Sequence, residues 1–169
     1  MVVIREESPA DLLAVRRVNE LAFGRAGEAN LVDVLRAVAE PVISLVAIRD
    51  GEVVGHLFFS PVTLETGLAG ADTYLGLGPL AVLPECQNLG IGSQLVREGL
   101  QACRRQGAAA VVVLGHPEYY PRFGFVPASR YALRCEYPVP DDVFMAIELK
   151  PGALSRPGLV KYHSAFASV

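Results

Sequence analysis

Val82-Leu83-Pro84-Glu85-Cys86-Gln87-Asn88-Leu89-Gly90-Ile91-Gly92 joins a β-rich run, Thr73 to Val82, to a segment in which Leu95, Val96, Leu100 and Cys103 share one helical face. A strand that enters a helix through a glycine turn leaves several backbone N–H groups without intrahelical partners, beside the positive end of the helix dipole. Such a junction is an anion site. Gly90 and Gly92 let the backbone approach a phosphate or pyrophosphate without obstruction by a Cβ. Two nucleotide patterns fail here. A Walker A loop needs Gly-Lys-Ser/Thr, whereas Gly92 is followed by Ser93-Gln94. A dinucleotide fingerprint needs a third glycine where Leu95 stands and an acid about 20 residues on, where Val111 to Val113 supply none.

Working outward, Gly107 closes the helix, and Ala108 to Leu114 is an uninterrupted apolar run suited to a sheet covered on both faces. Strand, helix and strand in succession predict a parallel pair between Thr73 to Val82 and Ala108 to Leu114. His116 to Phe125 reads as a short helix or turn, and Phe144 to Leu149 as a late strand. Toward the N-terminus, Val2 to Arg5 is a short strand. Ser8, Pro9 and Asp11 then supply an N-cap, a first-turn proline and an N3 acid for a helix to about Ala22, ended by Phe23-Gly24. A second helix carries Leu31, Val34, Leu35 and Val38 at helical spacing until Pro41. Ile43 to Ile48 and Val53 to Phe59 flank Asp50-Gly51 as an antiparallel hairpin. The second strand is expected to continue through Ser60-Pro61 to Glu65, with Pro61 marking a bulge or bend, and Gly67-Leu68-Ala69-Gly70 to turn the chain. The expected fold class is α/β or α+β, a mixed central sheet with helices on both faces.

The 169 residues are about the size of one domain, and no linker divides them, so residues 1–169 are expected to form a single domain. With 51% hydrophobic and 20% charged residues the chain has ample apolar surface to fold. Mean hydropathy is +0.34, yet the longest strictly apolar run, Ala108 to Leu114, is far short of the roughly 18 residues a spanning helix needs. A soluble protein is expected, with no membrane partner. Fifteen Lys plus Arg against eighteen Asp plus Glu give a net charge of −3, which provides no electrostatic drive toward nucleic acid. The N-terminus meets Arg5, Glu6 and Glu7 at once and does not read as a signal peptide, so the cytoplasm is the expected compartment. Cys86, Cys103 and Cys135 are odd in number and far apart, which fits free thiols better than a disulfide framework or a CxxC site. His56, His116 and His163 lack ligand spacing, so no metal is expected.

The pattern Gln-x-x-Gly-x-Gly at Gln87 to Gly92 resembles the acetyl-CoA pyrophosphate motif of the GNAT superfamily of acyl-CoA N-acyltransferases. Val82-Leu83-Pro84 extends it to Val-x-Pro-x-x-Gln-x-x-Gly-x-Gly. Tyr120-Pro121-Arg122-Phe123-Gly124-Phe125 is similar to the Tyr-x-x-x-Gly-Phe segment that follows the next strand in that family, and the element order over residues 2 to 149 agrees.

The resemblance implies a sheet that splays between the strand ending at Val82 and the strand ending at Leu114, with the pantetheine arm in the wedge. The donor would be held by the backbone of Leu80, Ala81 and Val82 and by Gln87, Asn88, Leu89, Gly90, Ile91, Gly92 and Ser93. It further implies an N-acetyltransferase in which the acceptor amine attacks the thioester directly, so the chemistry reduces to orientation, proton removal, oxyanion donation and a leaving-group acid. Tyr120 matches the position whose phenol protonates the departing thiolate, and a one-residue register change would exchange it with Tyr119. The general base stays open. Thr73 to Val82 holds no Glu where many relatives have one, Asp72 lies before that strand, and Glu28, His56, His116 or no enzyme base at all remain as alternatives. The tail from Leu154 to Val169, with Phe166, would cover the acceptor side of the cleft or pack as a last strand. The acceptor itself, a small-molecule or peptide amine, is set by loops and is not legible here. A catalytically inert CoA-binding sensor or interaction module is the alternative function. Homodimers are common among such domains, and an exposed late strand would suit one.

Overall fold

The computed structural model describes residues 1–66 and 72–169, and the turn expected at Gly67 to Gly70 lies outside them. The regular elements are β1 (Val2–Glu6), α1 (Leu12–Phe23), α2 (Gly27–Val38), β2 (Ile43–Arg49), β3 (Glu52–Glu65), β4 (Tyr74–Val82), α3 (Ile91–Arg105), β5 (Ala110–Leu114), β6 (Val126–Pro127), β7 (Leu133–Cys135), β8 (Phe144–Glu148) and β9 (Gly158–Lys161). The main path of the sheet runs β1-β2-β3-β4-β5-β8-β6, with β9 pairing with the far end of β3 and with β7. The expected parallel pair forms, Tyr74 opposite Ala110 through Leu77 opposite Val113. The only other parallel pair among the described residues is β7 with β9, and the remaining pairs are antiparallel.

Local chemistry sets the ends of the elements. Asp11 accepts from Ser8 N–H at 2.7 Å and from Nη1 and Nη2 of Arg5, which fastens the 3-10 turn Pro9–Asp11 onto β1 before α1 begins. Ala108 N–H bonds Cys103 O at the end of α3, so β5 starts two residues later than the apolar run suggests. The last residue of α1, Phe23, is followed by Gly24 in the left-handed conformation at φ +70°.

The expected bulge is displaced. Pro61 sits in register opposite Leu75, whereas Leu57 opposite Leu80 and Phe59 opposite Leu77 leave an extra residue in β4, at Gly78-Pro79. β2 pairs with β3 only as far as Phe59, so one flank of Pro61 is open and its missing N–H disrupts nothing. Pro79 is likewise paired on one side only, with β3, and there the bulge absorbs it. The same point ends the pairing with β5, which stops at Leu77 and Val113. Beyond it β4 follows β3 to Val82 while β5 follows β8 to Leu114, so the two strands part.

Helices cover both faces. α3 packs Ile91 and Leu95 toward Gly55 in a core shared with Leu57, Phe59, Leu75 and Leu77. On the other face Phe58 is buried under Leu31, Val32 and Leu35 of α2, and His56 meets Asn19 of α1. No helix among the described residues is long and apolar enough to cross a membrane.

Candidate active site

The glycine turn is tied to the strand that feeds it. Gln87 Nε2 donates to Val82 O at 3.0 Å, and the chain passes through Asn88 at φ +63° and Gly90 at φ +83° before α3 begins. Gly90 is the N-cap, and the first helical bond runs from Gln94 N–H to its carbonyl. The N–H groups of Ile91, Gly92 and Ser93 come before that bond, at the positive end of the dipole. A Cβ at Gly92 would lie 3.0 Å from Tyr119 Oη and 3.9 Å from the side chains of Leu80 and Val82, so the hollow beside the helix end stays open only without it.

A cleft of about 1150 Å³ runs from this turn through the parted strands to the α1–α2 face of the sheet. Leu80, Val82, Gln87, Asn88, Gly90, Ile91, Gly92 and Ser93 line it on one side. Ala81 is buried in the core, Leu89 is 59% exposed, and neither lines the cleft. Leu77, Gly78, Pro79, Leu114, Gly115 and His116 form the waist. At the far end stand Phe23, Glu28 and Leu31 with Tyr137, Val139, Tyr162, Phe166 and Val169. The cleft has room for an elongated ligand, and the free N–H groups at the start of α3 suit an anionic group.

The two tyrosines part company. Tyr120 lines the cleft with its ring buried against Tyr119, Phe123 and Phe125 and pressed on Gly115, where a Cβ would collide with it. Burial and the neighbouring Tyr119 push its phenol up from the ordinary value, so it stays protonated. Tyr119 lines the cleft too but directs Oη to Ser93 Oγ at 3.2 Å, while Arg122 stacks 4.6 Å above its ring and donates from Nε to its carbonyl.

The base candidates separate as well. His56 is wholly buried, taking a hydrogen bond from Asn19 Nδ2 at 3.0 Å on Nδ1 and donating from Nε2 to Ser44 Oγ at 2.8 Å. Burial and the Arg36 charge hold its imidazole down at about 3, and it does not line the cleft. It is a neutral structural residue. His116 lines the cleft. Glu28 lines it too, but both its oxygens are occupied by Arg25, at 3.0 Å from Nε and 2.6 Å from Nη2, which holds the carboxyl below its usual range against the opposing effect of burial. Asp72 is exposed before β4 and outside the cleft. Of the free cysteines, Cys86 lines the cleft with Arg49 Nη1 4.0 Å from Sγ, and burial pushes Cys103 up to about 12. The described residues contain no group of three or more His, Cys, Asp or Glu side chains arranged to hold a metal.

The tail packs as a last strand and then reaches the cleft. β9 is a strand beside β3 and β7, and the following 3-10 turn, Ser164–Ser168, brings Phe166 to the cleft. Tyr137, Val139 and Tyr162 join it there without any motif to announce them; the clustering of aromatics in the last third of the chain was their one signal.

Comparison with known proteins gives consistent matches. The model of the acetyltransferase (GNAT) family matches residues 14–125. The chain is 39% identical over 168 residues to the uncharacterized N-acetyltransferase YhbS of Escherichia coli K12, covering 98% of both. It is 39% identical over 136 residues to the uncharacterized N-acetyltransferase YjhQ of the same organism, covering 79% of this chain and 75% of that one. The crystal structure of E. coli YhbS in complex with CoA superposes with a TM-score of 0.89 at 37% identity, covering 98% of this chain and 92% of that one. A GNAT family acetyltransferase from Brucella melitensis in complex with acetyl-CoA gives 0.79 at 38% identity, covering 98% of both.

Proposed function

Because the chain belongs to the GNAT acetyltransferase family, we propose that it transfers the acetyl group of acetyl-CoA to a primary amine by direct attack of that amine on the thioester. The observation that carries this is the cleft through the parted strands, which has the N-terminus of α3 on one side and, on the other, an end lined by Phe23, Glu28 and Leu31 that suits an acceptor. Relatives of similar fold bind CoA or acetyl-CoA.

The backbone N–H groups from Gly90 to Ser93 hold the pyrophosphate beside Gln87 and Asn88, and the β4 edge at Leu80 and Val82 orients the pantetheine arm. The amine nitrogen bonds to the thioester carbon, the C–S bond breaks, and the Tyr120 phenol gives its proton to the departing thiolate. No enzyme base is required before attack, because the apolar acceptor end favours the neutral amine over the ammonium. After attack the nitrogen sheds its extra proton to His116, which lines the cleft, and that proton returns to the Tyr120 phenolate. Residues 1–169 act as one domain, and the free thiols suit a reducing cytoplasm.

The test is calorimetry with acetyl-CoA together with thiol release in the presence of a panel of primary amines. One donor site per chain and amine-dependent thiol release are expected. Tight donor binding without turnover across the panel would favour a non-catalytic CoA-binding module instead.

A further inference from the structure

We infer that the acceptor is a compact monoamine bearing an aromatic body, not a polycation; this rests on the transferase assignment and specifies its second substrate. The far end of the cleft is an aromatic box. Tyr137 and Tyr162 lie 6.1 Å apart between ring centroids, tilted by 32°, and Tyr162 and Phe166 lie 5.2 Å apart at 58°. Phe23, Leu31 and Val139 complete the walls.

The box is built before anything enters it. The Tyr162 ring rests on Gly76 of β4, where a Cβ would lie 3.0 Å from Cε1, and Tyr162 N–H donates to Glu136 Oε2 at 2.5 Å. Phe166 packs against the cluster of Leu31, Leu35 and Phe58, and its turn is capped by Ala165 N–H donating to His163 Nδ1 at 3.1 Å. Rings fixed in this way offer a flat apolar molecule contact area with little ordering cost.

The charges argue in the same direction. Among the described residues lining the cleft, Glu28 is the only one with an acidic side chain, and Arg25 takes both of its oxygens. A polyamine or an aminoglycoside would have to bury several ammonium groups with no free carboxylate side chain to receive them. A single amine leaving an aromatic box toward Tyr120 meets no such penalty, and the apolar walls lower the amine pKa toward the reactive free base.

The test uses the full chain with saturating acetyl-CoA and four acceptors: 2-phenylethylamine, spermidine, kanamycin and a short peptide with N-terminal Phe. 2-Phenylethylamine should have the highest kcat/KM, by about tenfold or more. Tyr137→Ala and Phe166→Ala, both at half-buried positions, should each raise its KM about tenfold with acetyl-CoA affinity unchanged. Preference for spermidine, kanamycin or the peptide, or unchanged KM in both variants, would overturn the proposal. Calorimetric titration of the same amines into the CoA-saturated protein reads the box without turnover. Selective binding of 2-phenylethylamine there supports the box even if no acetyl transfer occurs, in which case the transferase assignment alone fails; absence of that selectivity overturns the box.

Discussion

Tyr119 Oη and Ser93 Oγ lie 3.2 Å apart, so the tyrosine beside the proposed proton donor is tied to the first turn of α3 and not to the reacting end of the cleft. Tyr120, one residue on, is locked by Gly115 and by the rings of Phe123 and Phe125. Adjacent phenols thus sit in different surroundings, one beside the N-terminus of α3 and one at the waist of the cleft.

Tyr120→Phe should therefore lower kcat by about 10² to 10⁴, the usual range for a general acid, with acetyl-CoA affinity nearly unchanged. Tyr119→Phe should do the reverse, weakening acetyl-CoA a few fold with kcat close to normal. Steady-state kinetics with a working acceptor, paired with calorimetry, separates the two. A Tyr120→Phe enzyme with normal kcat across pH would remove that phenol from the mechanism.

The two glycines of the turn predict different failures. Gly92→Val would push a side chain into the hollow against Tyr119, so acetyl-CoA affinity should fall at least about tenfold while the fold persists. Gly90→Val has room for its Cβ but must hold φ near +83°, which costs roughly 1–2 kcal/mol. Its Tm should drop, and donor affinity should weaken through the displaced loop. Unchanged affinity in a folded Gly92→Val protein would show that the pyrophosphate lies elsewhere.

These positions were legible because a strand-glycine-helix junction has a strong local signature, and the parallel pair followed from the crossover it implies. The bulge was misplaced because a proline in a strand announces only that one N–H is missing, not whether the register slips. Pro61 and Pro79 are each paired on one side only, yet Pro61 keeps its place opposite Leu75 and the extra residue falls at Gly78-Pro79. β6, β7 and β9, of two to four residues, are too short to show a period, and long-range pairing creates them. The proposed acceptor box was hidden for the same reason, since Tyr162 and Phe166 follow β9, and β9 takes its place through pairing with β3 and β7. His56 shows the opposite limit: its residue type suits a base, and burial between Asn19 and Ser44 removes it.

His56 should appear in stability and be silent in catalysis. Its folded value, about 3, lies below the ordinary imidazole value near 6.5, so between those limits the unfolded chain binds a proton that the native one does not. Its contribution is complete above about pH 6.5 and is lost as pH falls toward 3, at no more than about 1.4 kcal/mol per pH unit. Urea titrations of the native protein and of His56→Gln from pH 7.5 to 4.5 should show a shallower acid slope in the variant. Equal slopes would mean that His56 is protonated in the native state.

Arg25→Gln tests whether Glu28 faces the acceptor. Arg25 is exposed, with 61% of its side-chain surface in solvent, and its guanidinium is the main reason the Glu28 carboxyl is held low. Removing it raises the Glu28 pKa toward the ordinary carboxylate value near 4.3, so at pH 7.5 the group is still ionised but no longer neutralised. A freed carboxylate at the far end of an aromatic box should attract ammonium groups. The KM for spermidine should fall about three- to tenfold, more at low salt, while that for 2-phenylethylamine changes little. Stability should lose the small part that Glu28 contributes above about pH 4.3, so the mutant's acid transition becomes less steep below that pH, where the native protein loses this contribution. Initial-rate kinetics at two ionic strengths provides the measurement, with Arg25→Gln/Glu28→Gln as the control that should abolish the gain. A spermidine KM that does not respond, in a variant that binds acetyl-CoA normally, would place Glu28 outside the path of the acceptor.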